Sequence, residues 1–535
     1  MLLQVKTTIS TLIFGIIFFC TLNAAAQNKV IDRKIQYFFS DYYGKLDTGF
    51  TATKTSSTCF LIDSTYADLI AEHNLPQHGS FIASRLFNNN WFKMSGKDYD
   101  ITLDPYEGLL VGYETALNKN IWYNKRGVFL NGRFGQKIKI HSYIQEGPIK
   151  PEPFISDYIN TSRVIPGEGE VHVDGTDVFG RYSSFGGVEY KASKFVDLTL
   201  AHGKNFLGEG YRSLILSDAG PNYLFGRMDF HFGEKINYTT IVSEFIDYRP
   251  DMVQSGNVLR QKKYGSYHYL DIALTKKFHV SLYEAIIWGG DSAARNTLEL
   301  NYLNPFVVMR PFEFGLGSPD KVLMGTAFKY TPTTSVTLYG QFLLTEFYFK
   351  EFFAGNNWWG NKYAGQAGVK FHNFKFAKNL YFQLEYNHIR PFTYNHRSSL
   401  TSFSHSGQPL AHPSGSNLKE GIFIANHRHN RWNLNLKSVY RISGLPNSDS
   451  TSVGTNVLMS YYDREADFGN VIGQGVSYQQ FHNTFAISYM VNPSNLIFVE
   501  AGVVNRHQII DGSNIQQNYF FIGLKTGIIN NYYDF

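Results

Sequence analysis

From about residue 100 to the C-terminus, apolar and polar positions alternate. Leu380, Phe382, Leu384 and Tyr386 interleave with Tyr381, Gln383, Glu385 and Asn387; Val336, Leu338, Gly340 and Phe342 interleave with Thr337, Tyr339, Gln341 and Leu343. The same period recurs at Val196–Ala201, Asn433–Lys437 and Ile497–Val504. A period of two is that of a strand, whose successive side chains point to opposite faces. In the last such stretch, Phe520, Ile522 and Leu524 share one face, and Gly523, Lys525 and Gly527 the other. Apolar on one side and small or polar on the other describes a strand between lipid and a wet lumen. Short turns at Lys276–Lys277, Thr331–Thr334 and Asn492–Ser494 alternate with long polar links such as 147–180, 290–320 and 391–418. The pattern predicts an all-β fold, a transmembrane antiparallel β-barrel of about 18 strands. Its final strand does not keep one phase to the end. Counting back in twos from Phe535 gives Tyr533, Asn531 and Ile529, the set opposite to Phe520 and Ile522. A one-residue slip turns every side chain over. A break in the ladder is therefore expected within Thr526–Asn531, either as a bulge near Gly527 or as the end of the strand near Ile529 with Asn530–Phe535 as a separate periplasmic tag, the aromatic end being read by the outer-membrane assembly machinery.

The first 98 residues do not alternate. Lys6, the apolar run Ile9–Cys20 and Ala24-Ala25-Ala26 form a secretory signal over 1–26. The polar run that follows supplies no stop-transfer flank. Residues 27–98 read as a small N-terminal periplasmic segment with a capped helix over 63–72, and 99–535 as the barrel. The expected route is export to the periplasm, cleavage, and insertion into the outer membrane.

Composition narrows the class. Aromatic residues reach 16%, with 36 Tyr and 45 Phe, while hydrophobic content is only 43%. After the signal, no run approaches the ~18 apolar residues of a spanning helix. Only helices and closed barrels satisfy their backbone in lipid, so the aromatics are expected as girdles at the two interfaces of a barrel. A large soluble β-protein is the competing class. The formal charge of +5 falls to about +4 once Lys6 is removed, too little for a nucleic-acid partner. Cys59 is left as a lone cysteine, so no internal disulfide is expected.

Candidate chemistry is sparse. His388, His396, His405, His412, His427 and His429 crowd one region but lack the spacing of a metal site on one rigid element. Ser404-His405-Ser406-Gly407 has no nucleophile-elbow pattern. Gly208-Glu209-Gly210-Tyr211-Arg212-Ser213 has neither the phosphate-loop lysine nor a following helix, and reads as a surface-loop turn. No catalytic residue, metal or cofactor is expected. Trp358-Trp359-Gly360-Asn361-Lys362 offers either stacking surfaces for sugar rings or an interfacial girdle. Asn301–Pro311 is too apolar for a free loop and is expected to fold into the lumen or over the mouth, with Arg310 and Glu313 pointing inward.

Taken together, Gly208–Asp218, Tyr302-Leu303-Asn304-Pro305, Trp358–Lys362, Glu385–Pro391, Gln408–Pro413 and Asn531–Phe535 resemble the Wzi-like capsule-assembly family of outer-membrane barrels, and most nearly its gliding-motility branch, RemB. The resemblance runs from about residue 95 to the C-terminus and rests on the order of these blocks. It implies a non-enzymatic barrel that attaches surface polysaccharide in a lectin-like way, contributes to surface gliding, or both. Outer-membrane lipid, surface polysaccharide and motility or adhesin proteins would be its partners. The candidate polysaccharide contacts are Trp358, Trp359, Asn361, Arg310 and Arg390. A porin-like diffusion channel is the alternative, and a barrel hydrolase a weaker third.

Overall fold

Strand-forming alternation governs most of the chain. The computed structural model describes residues 56–57, 80–173, 177–233, 235–254, 257–289, 299–306, 308–311, 320–374 and 377–535. The signal segment, the expected helix over 63–72, Cys59 and Glu313 lie outside these residues. The barrel strands are β1 (Tyr99–Glu114), β2 (Lys119–Phe134), β3 (Ile138–Lys150), β4 (Phe179–Lys191), β5 (Val196–Gly203) and β6 (Tyr223–Phe232). They continue as β7 (Ile236–Gln254), β8 (Asn257–Ala273), β9 (Phe278–Gly289), β10 (Lys321–Thr333), β11 (Val336–Glu346) and β12 (Lys362–Phe374). The last six are β13 (Ala377–Ile389), β14 (Leu418–His429), β15 (Trp432–Leu445), β16 (Val476–Asn492), β17 (Ile497–Ile510) and β18 (Ser513–Thr526). Each pairs antiparallel with the next, and β18 closes on β1 through Phe520↔Tyr113 and Lys525↔Gly108, giving a closed barrel of 18 strands. Closure removes the free sheet edges that lipid cannot satisfy.

The alternation sorts side chains as the sequence predicts. Tyr381, Gln383, Glu385 and Asn387 of β13 are buried in the lumen, while Leu384 and Tyr386 face out. On β18, Phe520 and Ile522 face out and remain 56% and 53% exposed on the isolated chain. Exposed apolar side chains in rows around the wall, with Trp432 packed on Tyr489 near one end and Tyr440 on Phe481 higher up, form a surface suited to lipid. Short turns gather at one end and long loops at the other; by the usual rule for such barrels the long loops face outside. At the short-turn end, helix α1 (Phe81–Phe87) begins on Ser80, whose Oγ accepts the Ala83 N–H. It is fastened to the barrel by Asn492, which donates to the carbonyls of Arg85 and Asn89, and by Arg431, which donates to that of Phe87.

Three segments lie elsewhere than the sequence led us to expect. Gly208–Asp218 is no surface turn: the whole stretch is buried inside the barrel. Gly208 and Gly210 are needed there because a Cβ on either would strike Gln341 of β11 or Gln366 of β12. The chain end is the second. The ladder does stop at Thr526, within the expected interval. However, Gly527–Phe535 turns into the lumen instead of hanging below as a tag: Ile528, Tyr532 and Asp534 are buried. The third is Asn301–Pro311, which packs against the outside of the wall. Tyr283 and Ile287 of β9 point into the lumen core, so Glu284, Ile286 and Trp288 point out. Those outward residues are covered by Tyr302 and Met309. The Met309 N–H meets both oxygens of Glu284 at 3.1 Å. The reason lies in the wall. Thr240, Ser266, His268 and Glu284 are buried or nearly buried polar groups on outward positions, which bare lipid could not satisfy. The segment covers them and lays Phe306 on the outward rings of Phe230 and Tyr238, leaving Leu300 and Phe306 each 72% exposed.

Candidate functional site: the filled lumen and the cationic mouth

Inward positions of a barrel are usually polar because water occupies the lumen. Here protein occupies it. Four pieces enter: α2 (Pro153–Ser162), the Gly208–Asp218 stretch, residues 391–417, and the C-terminal tail. Leu214, Tyr394, Phe403 and Leu410 form one apolar core with wall residues Phe245, Tyr267 and Leu343. Wall cations reach inward to hold the loops. Lys263 donates to the Ser399 and Ser402 carbonyls and to Ser404 Oγ, and Lys321 donates to the Asn395 carbonyl.

Arg212 is the hub. Its guanidinium is completely buried, bonds Glu420 of β14 through Nε and Nη2 at 3.2 and 3.1 Å, and lies 2.9 Å from Asp534 of the tail. The Tyr211 and Tyr532 rings flank it at 4.9 and 5.6 Å. Glu385 of β13 accepts the backbone N–H groups of Tyr211 and Arg212. His412 contacts the same Glu420 at 2.8 Å. The tail is held twice more. Asp218 accepts from Asn530 and Tyr532, both at 2.8 Å, and Arg506 donates to the Phe535 carbonyl. Burial pushes the Asp534 carboxyl up, but Arg212 and Lys437 outweigh it and hold the group well below the usual carboxylate range. Arg212 and Lys437 are paired with Glu420 and Asp534, and Glu385, Asp218 and Arg506 are hydrogen-bonded to neutral groups, which is how buried charges are tolerated. It is a fastening rather than a reaction centre.

The outer mouth differs. Between β11 and β12 the chain forms α3 (Phe349–Phe353) and then Trp358–Asn361. Phe352 of α3 leans on Tyr363, an outward position of β12, so this aromatic turn belongs to the interfacial girdle. The tryptophans turn the other way. Trp359 packs on Tyr461 and Phe392, with Lys362 and Arg464 over its ring at 4.4 and 4.1 Å. Trp358 stands beside it at 5.9 Å between ring centres. Both are half-buried, whereas Tyr462 is 67% exposed. Arg390 clamps the turn by donating from Nε to the Asn361 carbonyl and from Nη2 to that of Trp358. Asn361 Oδ1 accepts the Tyr348 N–H. Trp358, Trp359, Asn361 and Arg390 thus come together, with Asn361 and Arg390 shaping the turn. Arg310 does not join them. It is exposed on the external segment, near enough for its charge to act on Glu346. Sequence reading missed Tyr461, Tyr462, Arg464 and Lys321, which lie on other loops and strands. Burial, followed by the charges of Lys321, Lys362 and Arg397, holds His396 far below its ordinary value.

Among known proteins, no family model matches the chain and no curated protein matches it. Solved structures do. Wzi of Escherichia coli, described as an outer-membrane protein involved in group 1 capsule assembly and a carbohydrate-binding β-barrel, aligns with a TM-score of 0.53 at 12% identity, covering 94% of this chain and 99% of its own. OprD of Pseudomonas aeruginosa aligns with a TM-score of 0.39 at 11% identity, covering 83% of this chain and 96% of its own. The first likeness establishes that the two share a barrel fold.

Proposed function

We propose that this protein is a plugged outer-membrane barrel that holds acidic surface polysaccharide at its outer mouth without chemically altering it. One observation carries the reading: the lumen is filled, while the mouth presents Trp358 and Tyr462 beside the partly exposed Arg397 and Arg464. Aromatic faces stack on the apolar faces of sugar rings, and Arg397 and Arg464 attract uronate or other anionic groups. The filled lumen favours this reading over an open diffusion channel. The likeness to a carbohydrate-binding barrel points the same way. Gliding would use the same attachment, with the held polymer transmitting force between cell and surface. The test is retention of an acidic polysaccharide, alginate, against neutral dextran, on the full chain in detergent micelles. Alginate is expected to bind and dextran to bind at least tenfold more weakly, with Trp358→Ala and Arg464→Gln each lowering alginate retention. Equal retention of the two polymers, or none of either, would overturn the reading.

A further inference from the structure

The barrel wall is incomplete on one side. β5 and β6 are the two shortest strands of the wall. Their last pairs toward the outside are Gly186↔His202 and Leu224↔Glu244. Beyond those pairs β4 continues over Phe179–Phe185 and β7 over Phe245–Gln254, and among the described residues the two-residue strand His172–Val173, paired with Gly180 and Phe179 of β4, is all that stands between them. An uncovered strand edge carries unpaired backbone groups. Here loop residues cap them. Asn222 Nδ2 donates to the Ser184 carbonyl of β4 at 3.0 Å. The Ile246 N–H of β7 donates to His405 Nδ1 at 3.0 Å, and its carbonyl accepts the Ser406 N–H at 2.8 Å. With Nδ1 accepting, His405 Nε2 carries the proton and donates to the Asn222 carbonyl at 3.0 Å. The interruption is thus a finished structural feature, floored by Asn222, His405 and Ser406.

What it leaves is a lateral cleft of about 1100 Å³, opening through the wall on its lipid side. Its rim departs from the rest of the outer surface. Arg126 of β2, Glu146 of β3 and Tyr182 of β4 are direct cross-strand neighbours on outward positions and all line it. Glu244 lines the far side, and Glu170 the inner side. Asn124 Oδ1, also in the lining, is buried with no hydrogen-bond partner. The cleft therefore carries three carboxylates, Glu244 paired with Lys262 at 3.0 Å, Glu170 with Arg260 and Glu146 opposite Arg126, together with an unanswered amide oxygen. Directly below it the wall is apolar, with Leu200 and Leu224 64% and 48% exposed.

Acceptors call for donors, and a ligand dense in hydroxyl groups supplies them. An apolar wall below a polar cleft calls for acyl chains under that head. We propose that the cleft binds the sugar head-group of an outer-leaflet glycolipid, its acyl chains lying along Leu200 and Leu224. Entry is sideways from the membrane, and the site is separate from the mouth. Glu146 and Glu244 accept from sugar hydroxyls on the two sides of the cleft. Arg126 balances the charge and takes any phosphate carried by the head. Asn124 receives the hydroxyl that reaches deepest.

The experiment uses the full chain purified in detergent and analysed by native mass spectrometry. The probes are deep-rough lipopolysaccharide, phosphatidylethanolamine, and the lipopolysaccharide core oligosaccharide freed of lipid A. One lipopolysaccharide is expected to stay bound per barrel, with phosphatidylethanolamine and the free oligosaccharide each retained at least tenfold less. The pair Glu146→Leu and Glu244→Leu, at exposed positions whose loss leaves the fold intact, is expected to cut lipopolysaccharide retention about tenfold while alginate retention at the mouth stays unchanged. A photoreactive benzoylphenylalanine in place of Tyr182 is expected to crosslink lipopolysaccharide well above the same group in place of Phe485 on another part of the wall. Equal retention of lipopolysaccharide and phosphatidylethanolamine, equal crosslinking at the two positions, or undiminished retention by the double variant would overturn the proposal. Because alginate retention is read in parallel, failure of the cleft and failure of the mouth are told apart.

Discussion

The lumen hub around Arg212 and the mouth around Trp359 use the same ingredients, guanidinium, carboxylate and aromatic ring, to opposite ends. In the hub the charges are buried and bonded, and the partners of Arg212 come from the neighbouring strands β13 and β14 and the chain end. At the mouth, Arg464 and Lys362 share one indole and pair with Asp467 and Glu346, while Asp467 and Tyr462 stand in solvent. A dry cluster, closed on every side, holds a structure in place. A half-wet one with open ring faces holds something else. If this contrast is right, the two regions respond differently to the same perturbations.

The largest difference is expected from Arg212→Ala. It leaves the buried Glu420 with His412 and the buried Asp534 with Lys437 and Tyr211 as their remaining partners, a loss of about 3–5 kcal/mol. Unfolding followed by the heat-dependent gel shift typical of barrels reads it, and an unchanged melting temperature would break the hub description. Next is ending the chain at Gly527. Removing the tail takes away the partners of Arg212, Lys437 and Asp218. Ion conductance in planar bilayers is expected to rise from near zero to steady openings, while alginate retention at the mouth persists. Third, Trp358→Ala combined with Tyr462→Ala is expected to lower alginate retention about tenfold, roughly 1.4 kcal/mol, with no change in melting temperature. A melting shift as large as that of Arg212→Ala would make the mouth another fastening. The smallest effects are those of solvent. Raising salt from 50 to 500 mM shortens the screening length from roughly 14 Å to about 4 Å, which weakens mouth binding and leaves the hub unmoved.

The effect of pH follows from Asp534. Its pKa is depressed in the folded state, so its contribution is complete above the free value of 3.8 and is lost only as pH falls below that toward the folded value. Conductance is therefore expected to stay low from pH 5 to 8 and to rise only under stronger acid. Opening above the carboxylate range but below the ordinary histidine value would point to a histidine, and His412 at Glu420, which burial holds below that value, is the first to test by His412→Gln.

The wall was legible in the sequence because a barrel repeats one local rule. Leu384 out and Glu385 in can be read from adjacent letters. The contents were not, because their reasons are distant. Gly208–Ser213 looks like any polar loop until Gln341, Gln366, Glu385 and Glu420 are seen facing it from four strands. The phase break after Thr526 told where the last strand ends, but nothing local told that Asp534 would be neutralised by Arg212. The apolar character of Tyr302 and Met309 showed that they need cover. It did not say on which side of the wall, since that depends on Glu284 and His268 needing to be hidden from lipid. At the mouth, the paired tryptophans were visible and their partners, about 100 positions later in sequence, were not.

The buried tail also sets an order of events. Tyr211 and Asp534 are 323 positions apart, and Asp218 and Asn530 are 312 apart. These contacts exist only once both ends of the sheet have been brought together, and contacts so remote in sequence form late. The aromatic terminus is therefore legible to another protein only while the barrel is unfinished. Completion hides Tyr532, and Phe535 ends up against Tyr158. A label or fusion attached after Phe535 would have to be threaded into the lumen or would keep the tail out of it. A tagged version of this protein would thus be a different object from the native one.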